Sequence, residues 1–260
     1  MNGSVPPAES KSATVTAAMV IIGNEILSGR TADKNLNYLA TKLTKAGVRL
    51  MEVRVVPDLE EMIVEAVNAL RTRHDYVFTT GGIGPTHDDI TAGAIARAFG
   101  VRLIRHPEAE ALLRAHYSED RLNEARLSMA DTPEGADLVT NPVSAAPGFR
   151  MENVFVMAGV PTVMQAMTDE VVPRLRAGAP VLSQTVAADL GEGTVAAGLA
   201  DIQTAYPALD IGSYPYFRDG KFGTSLVVRG TERAAIARAA AEIAALVTDL
   251  GAAPQIGEIE

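Results

Sequence analysis

The strand-type run Tyr76-Val77-Phe78 leads into Thr79-Thr80-Gly81-Gly82-Ile83-Gly84-Pro85-Thr86-His87-Asp88-Asp89-Ile90-Thr91. Ala92-Gly93-Ala94-Ile95-Ala96-Arg97-Ala98-Phe99 then reads as a helix. A chain that turns on glycines between a strand and a helix start leaves backbone N–H groups facing outward, where anions are favoured. Two adjacent carboxylates, Asp88 and Asp89, close the turn. Amides beside acidic oxygens suit a phosphorylated ligand with a divalent cation, because hard cations take oxygen ligands.

The chain around this turn alternates. Residues 15–22 form an apolar strand, and residues 23–33 read as a polar loop. Leu36, Leu39 and Leu43 give residues 34–46 a helical period that Gly47 ends. Residues 48–56 predict a second strand, residues 59–73 an amphipathic helix, and residues 75–80 a third strand. This order predicts an α/β fold, a mostly parallel sheet with helices on both faces. In such sheets ligands bind beyond the carboxyl ends of the strands. Gly23-Asn24-Glu25 and Gly81-Gly82 both fall there. Residues 107–126 read as a charged helix and residues 132–148 as mostly irregular. Residues 153–157 read as a buried strand, and Gly159-Val160-Pro161 opens a helix running to about residue 175.

After Arg176-Ala177-Gly178-Ala179-Pro180 the pattern changes. Strand, helix, strand, strand and helix follow at residues 181–190, 194–206, 209–216, 222–229 and 232–250, an order suited to a small α+β domain. The expected organisation is a tail over residues 1–14, a domain over 15–176 and a small domain over 181–251.

Composition narrows the function. The chain has 260 residues, 47% hydrophobic and 21% charged, enough for one large or two modest domains. The formal net charge is −9 and no Lys/Arg run stands out, which argues against nucleic acid as the main partner. The absence of cysteine excludes disulfides, thiolate chemistry and cysteine-ligated zinc. No apolar run reaches the roughly 18 residues of a membrane span. Residues 1–14, rich in Ser, Pro and Ala, lack the plan of a signal peptide and read as a disordered tail. A cytoplasmic location is expected.

Several blocks carry a resemblance. Ile22-Gly23-Asn24-Glu25-Ile26-Leu27-Ser28-Gly29, Asp33-Lys34-Asn35, residues 80–91, Ala146-Pro147-Gly148 and Gly159-Val160-Pro161 occur in this order. Over residues 15–175 the chain resembles the molybdopterin-binding (MoaB/Mog-like) domain of the competence/damage-inducible protein A (CinA) family. Residues 181–251 resemble the small KH-type α+β domain that follows it there. The resemblance implies a three-layer α/β/α fold, a homo-oligomer (dimer or trimer), and a site for a nucleotide or pterin phosphate. It implies metal-dependent hydrolysis of the pyrophosphate of ADP-ribose, with Mg, Mn or Co and potassium as candidate ions. The alternatives are FAD-like substrates, a non-catalytic module holding molybdopterin, and a pterin adenylyltransferase. The C-terminal amidase domain of that family is not expected here. The chain departs from the family pattern at Ala158, where the family has proline, at Val163, where it has glutamate, and at Ser144-Ala145, where it has Gly-Thr.

Each candidate residue has a functional and a structural reading. Gly81, Gly82 and Gly84 approach a phosphate or form a tight turn. Asp88 and Asp89 hold the metal or cap the helix. Glu25 is a further metal ligand, a general base, or a loop-holding carboxylate. The resemblance puts Asp33 and Asn35 along the ligand site, and both also suit an N-cap; Gly23, Thr80 and Pro85 are further ligand-binding candidates, Asn24 holds the ligand or the loop, and Thr86 and Thr91 bond phosphate or cap. Pro147, Gly148, Gly159 and Pro161 form a pocket wall or plain turns. His87 is a candidate phosphate donor or acid but reads rather as exposed, and His74, His106 and His116 read as surface residues without metal spacing. Tyr214, Tyr216 and Phe217 read as a strand packed on a helix. Gly220-Lys221-Phe222-Gly223 has GxxG spacing, but between strands rather than helices, so no RNA clamp is expected.

Overall fold

The computed structural model describes residues 14–218 and 220–259. The predicted tail therefore lies outside the described residues, apart from its last one. The chain divides into two compact units, Met1–Ala179 and Pro180–Glu260.

The first unit begins with β1 (Val15–Ile22), α1 (Asn24–Leu27), α2 (Asn35–Lys45), β2 (Val48–Val56), α3 (Glu60–Arg71), β3 (Tyr76–Thr80) and α4 (Thr91–Phe99). It continues with β4 (Leu103–Arg105), α5 (Pro107–His116), α6 (Glu124–Leu127), β5 (Asp131–Pro133), β6 (Asp137–Val139), β7 (Gly148–Met151), β8 (Val154–Met157) and α7 (Pro161–Val171). Its six-stranded sheet runs β2-β1-β3-β8-β7-β6. The first four are parallel neighbours, and β7 and β6 add antiparallel pairs at one edge.

β1 explains why the sheet is covered on both sides. Its residues point alternately to opposite faces. Ala17, Met19 and Ile21 pack with Leu39, Leu43, Met164 and Met167 from α2 and α7. Ala18, Val20 and Ile22 pack with Ile63, Val67, Leu70 and Ile95 from α3 and α4. An unbroken apolar strand is what a parallel sheet buried on both faces needs. The result is the expected three-layer α/β/α arrangement. Successive connections leave β1 toward β2 and then cross to β3, so a topological switch point lies between β1 and β3, where α/β sheets open a crevice.

Several local expectations need correction. The polar loop over residues 23–33 contains the short helix α1. The helix predicted over 107–126 stops at His116, and a separate turn of helix forms at α6, capped by Asn123. The irregular stretch 132–148 carries β5 and β6, short strands whose alternation spans too few residues to read. α7 ends at Val171, where Pro173 follows and a 3₁₀ turn takes over.

The second unit contains β9 (Leu182–Ala188), α8 (Glu192–Ala205), β10 (Asp210–Arg218), β11 (Lys221–Gly230), α9 (Arg233–Asp249) and β12 (Gln255–Ile256). Its four-stranded antiparallel sheet runs β10-β11-β9-β12. Val195 and Ile202 of α8 and Ile236, Ile243 and Val247 of α9 cover it around Val186, Leu226 and Val228. β12, two residues long, has no pattern to read. The aromatic residues also differ from expectation: Phe217 and Phe222 pair at 4.6 Å and are 62% and 76% exposed, so they cap the hairpin tip and do not pack on a helix.

Candidate functional site

Two adjoining cavities open at the carboxyl ends of the parallel strands. The larger, about 500 Å³, is lined by Ile22, Gly23 and Glu25 after β1, Asp58 after β2, Gly81–Pro85 with Asp88 and Asp89 after β3, and Ala158–Pro161 after β8. Asn141, Ser144, Ala146 and Met129 close its far side. The smaller, about 290 Å³, is bordered by Gly82, Ile83, Gly84 and Asp89 as well, with Glu60, Leu103, Ser128, Met129, Asp131, Pro147 and Phe149. The glycine loop is thus a ridge with a cavity on each side.

The ridge has a defined construction. Gly81 (φ 100) and Gly82 (φ 67) occupy the left-handed region that favours glycine. A Cβ on Gly81 would stand 2.1 Å from the Ile22 carbonyl oxygen, so β3 passes the end of β1 with no room for a side chain. The Thr91 hydroxyl donates to the Gly81 carbonyl (3.0 Å) and the Thr91 N–H to that of Gly82 (2.9 Å). Among the described residues, no acceptor meets the N–H groups of Gly82, Ile83 and Gly84. Three consecutive amides near the start of α4 are thus left without a protein acceptor, as backbone N–H groups that receive anions at helix starts are.

Thr91 is accordingly a correction. It is fully buried and holds the loop, so it does not face a ligand. Thr86 is a second one: its N–H (2.8 Å) and hydroxyl (2.5 Å) both bond Asp89 Oδ2, and it lines neither cavity. The Thr86 side chain, then Asp88's own backbone N–H and neighbouring His87, hold the exposed Asp88 carboxyl below its usual range. Asp89 Oδ2 would lie 2.7 Å from a Cβ on Gly84, so that glycine makes room for the carboxylate. Glu25 likewise sits over Gly23, 2.5 Å from where a Cβ would be. His87 is 98% exposed in its side chain, as its sequence context suggested.

The remaining candidates divide. Gly23, Pro85, Gly159 and Pro161 line the larger cavity and Pro147 the smaller. Asn24 lines neither; its backbone N–H donates to Asp58 (2.8 Å). Gly148 is buried at the start of β7, where a Cβ would meet the Val156 carbonyl at 2.3 Å, so it serves strand packing and not the pocket. Asp33, one residue ahead of the N-cap Lys34, accepts from the Leu36 N–H (2.8 Å) and so satisfies an amide in the first turn of α2. Asp33, Asn35 and Thr80 do meet around a third, small cavity shared with Glu25, Gly159 and Pro161. Asn35 Nδ2 donates to the Gly159 carbonyl (2.8 Å), tying α2 to the loop before α7. His74 is not a surface residue: its side chain is 11% exposed, with Nε2 3.9 Å from Glu52.

Asp58, Asn141 and Met129 went unnoticed in the sequence. Asp58 had a signal, since it follows β2 directly at the sheet edge where the other site residues lie. Asn141 had none. It accepts from the N–H groups of Val143 and Ser144 and donates to the Ala146 carbonyl, which shapes the cavity wall from within its own loop.

Among the described residues no group of three His, Cys, Asp or Glu side chains converges to hold a cation. Glu25, Asp58, Asp88 and Asp89 all border the larger cavity as oxygen donors. That set fits a hard cation held by one or two carboxylates and completed by ligand phosphates, the usual magnesium mode, and does not fit an all-protein cage.

Residues 18–177 match the family model described as "Probable molybdopterin binding domain". The chain belongs to this family. Residues 180–254 match a second model, "FAD synthase, middle domain". A protein of Archaeoglobus fulgidus is 37% identical over 198 residues, covering 76% of this chain and 84% of its own length. A CinA-like protein of Desulfosudis oleivorans is 34% identical over 75% of this chain, which spans about half (51%) of that relative. Among solved structures, CinA from Thermoplasma acidophilum, of unknown function, is similar with a TM-score of 0.58 and 32% identity over 61% of this chain and 96% of its own. The molybdopterin-binding fold and the CinA-like relationship read from the sequence are thereby shown. No helix among the described residues is long and apolar enough to cross a membrane.

Proposed function

We propose that the chain hydrolyses the phosphoanhydride of a two-ended nucleotide of the ADP-ribose type, with a divalent cation. The observation that carries this reading is the ridge: free amides of Gly82, Ile83 and Gly84 and the Asp89 carboxylate lie between cavities of about 500 and 290 Å³. A ligand with a group at each end of a pyrophosphate places its phosphates on that ridge and one end on either side. A single pterin occupies one cavity and leaves the other unexplained.

The chain's own residues supply binding and proton transfer. The ridge amides and the start of α4 hold the phosphate oxygens. Asp89, kept in place by Thr86, and Asp88, kept ionised, are the residues that would hold the cation, with Glu25 or Asp58 opposite. Such a cation polarises a phosphoryl oxygen and offsets charge in the transition state. Glu25 accepts a proton as water oxygen bonds to phosphorus and the bridging P–O bond breaks, giving AMP and ribose 5-phosphate.

The test is AMP release from ADP-ribose, with FAD in parallel, using Mg²⁺, Mn²⁺ or Co²⁺ and K⁺. Metal-dependent release that falls on the order of 10²-fold or more in Asp89→Ala is expected. No release from either compound by folded protein that still binds a pterin would refute the hydrolase and favour the non-catalytic module.

A further inference from the structure

The outer strand of the six-stranded sheet, β2, presents Met51, Val53 and Val55 to solvent at 60%, 36% and 40% exposure. Charged and apolar residues alternate along it: Glu52 and Arg54 flank Val53 and bond each other at 2.9 Å. Arg73 holds Glu52 at 2.7 Å, and Glu65 lies 3.5 Å from Arg54. An extra residue near Met51 shifts the register, but residues 52–56 run in unbroken register with residues 18–22 of β1. An outer strand with a row of unpaired backbone groups is a template for another strand unless something blunts it.

We propose that β2 pairs with β2 of a second copy of this chain, antiparallel about Val53, to make one continuous sheet across a two-fold axis. Charge selects both occupant and register. With Val53 opposite the partner's Val53, Glu52 faces the partner's Arg54 and Arg54 faces the partner's Glu52, while Met51 and Val55 meet the partner's Val55 and Met51. A shift of one residue on each strand, in either direction, sets Glu52 on the partner's Glu52 or Arg54 on the partner's Arg54, and like charges directly opposite are unfavourable. The register about Val53 is thus the one that sets Glu52 and Arg54 on opposite charges, and it is self-complementary, as an isologous interface requires.

The chain has no cysteine, so a single introduced thiol reads the register. In the full-length protein, Val53→Cys places two thiols directly opposite, about 4.5–5.5 Å apart at Cβ and close to what a disulfide needs. Val55→Cys places them four strand positions apart, roughly 13 Å. Mild oxidation with copper–phenanthroline is expected to link V53C into a covalent dimer at least tenfold faster than V55C. By sedimentation, E52R and R54E each weaken dimerisation at least tenfold and the double variant E52R/R54E recovers it, with thermal melting confirming that all fold. Equal linking of the two cysteine variants, a wild-type monomer at about 100 µM, or association indifferent to the charge changes would overturn the pairing.

Discussion

Gly81→Ala tests whether the ridge depends on backbone geometry. The position carries φ 100, and a Cβ there would stand 2.1 Å from the Ile22 carbonyl oxygen. Forcing a side chain into the left-handed region costs about 1–2 kcal/mol. The contact adds more, because the obstacle is backbone at the end of β1, paired with β2 and β3, and cannot swing aside; overpacking of this kind costs about 1–3 kcal/mol. The sum is about 2–5 kcal/mol, a large part of the ~5–15 kcal/mol that holds a domain together. For a unit of this size that lowers the melting temperature by about 4–20 °C. Gly84→Ala is the contrast. Its Cβ would meet only the end of the Asp89 side chain, at 2.7 Å, so the carboxylate moves and the fold persists. Thermal and urea denaturation of the two variants measures the difference. An alanine at 81 within about 0.5 kcal/mol of wild type, the range of ordinary surface changes, would refute the account of the ridge.

Thr91→Val removes the buried hydroxyl that binds the Gly81 carbonyl, and a loss of about 1–3 kcal/mol in urea denaturation is expected. Asp75 bonds the Thr16 N–H (2.8 Å) and hydroxyl (3.1 Å) and pairs with Arg176; the Thr16 N–H is the first cause lowering its pKa. Because the folded value lies below the unfolded one, its contribution is full above about pH 4 and fades as pH falls through the folded value. Asp75→Asn should therefore cost about 1–2 kcal/mol at neutral pH, discounted for partial exposure, with the gap closing in acid; a gap that widens below pH 4 would contradict this.

The first unit was legible where burial imposes a period. β1, β3 and β8 contribute to both cores, α2 and α3 one face each, and the sequence shows it. The short elements were not legible: β4, β5 and β6 span three residues each, and their pairing depends on partners far along the chain. In the site, the glycines, Glu25 and the two aspartates stood out because their types are unusual beside an apolar strand. The sequence could not separate Thr91, which serves the loop's interior, from Thr86, which serves Asp89. Both are threonines at a helix start, and only the direction of each hydroxyl distinguishes them. Gly148 misled for a similar reason, since close approach of two strands and close approach of a ligand ask for the same residue.

The departures from the family pattern can now be placed. Ala158 and Val163 both line the larger cavity, and Val163 is 7% exposed on α7. Neither borders the smaller cavity or belongs to the ridge. Replacing a carboxylate by valine there removes one oxygen donor from the wall and makes that side of the larger cavity apolar. The free amides of residues 82–84 and the Thr86-held Asp89 are built from the loop itself and from Thr91, so their geometry does not depend on the missing glutamate. Under the proposed function, the substitution therefore acts on what the larger cavity accepts beside the phosphates, and leaves the ridge itself intact.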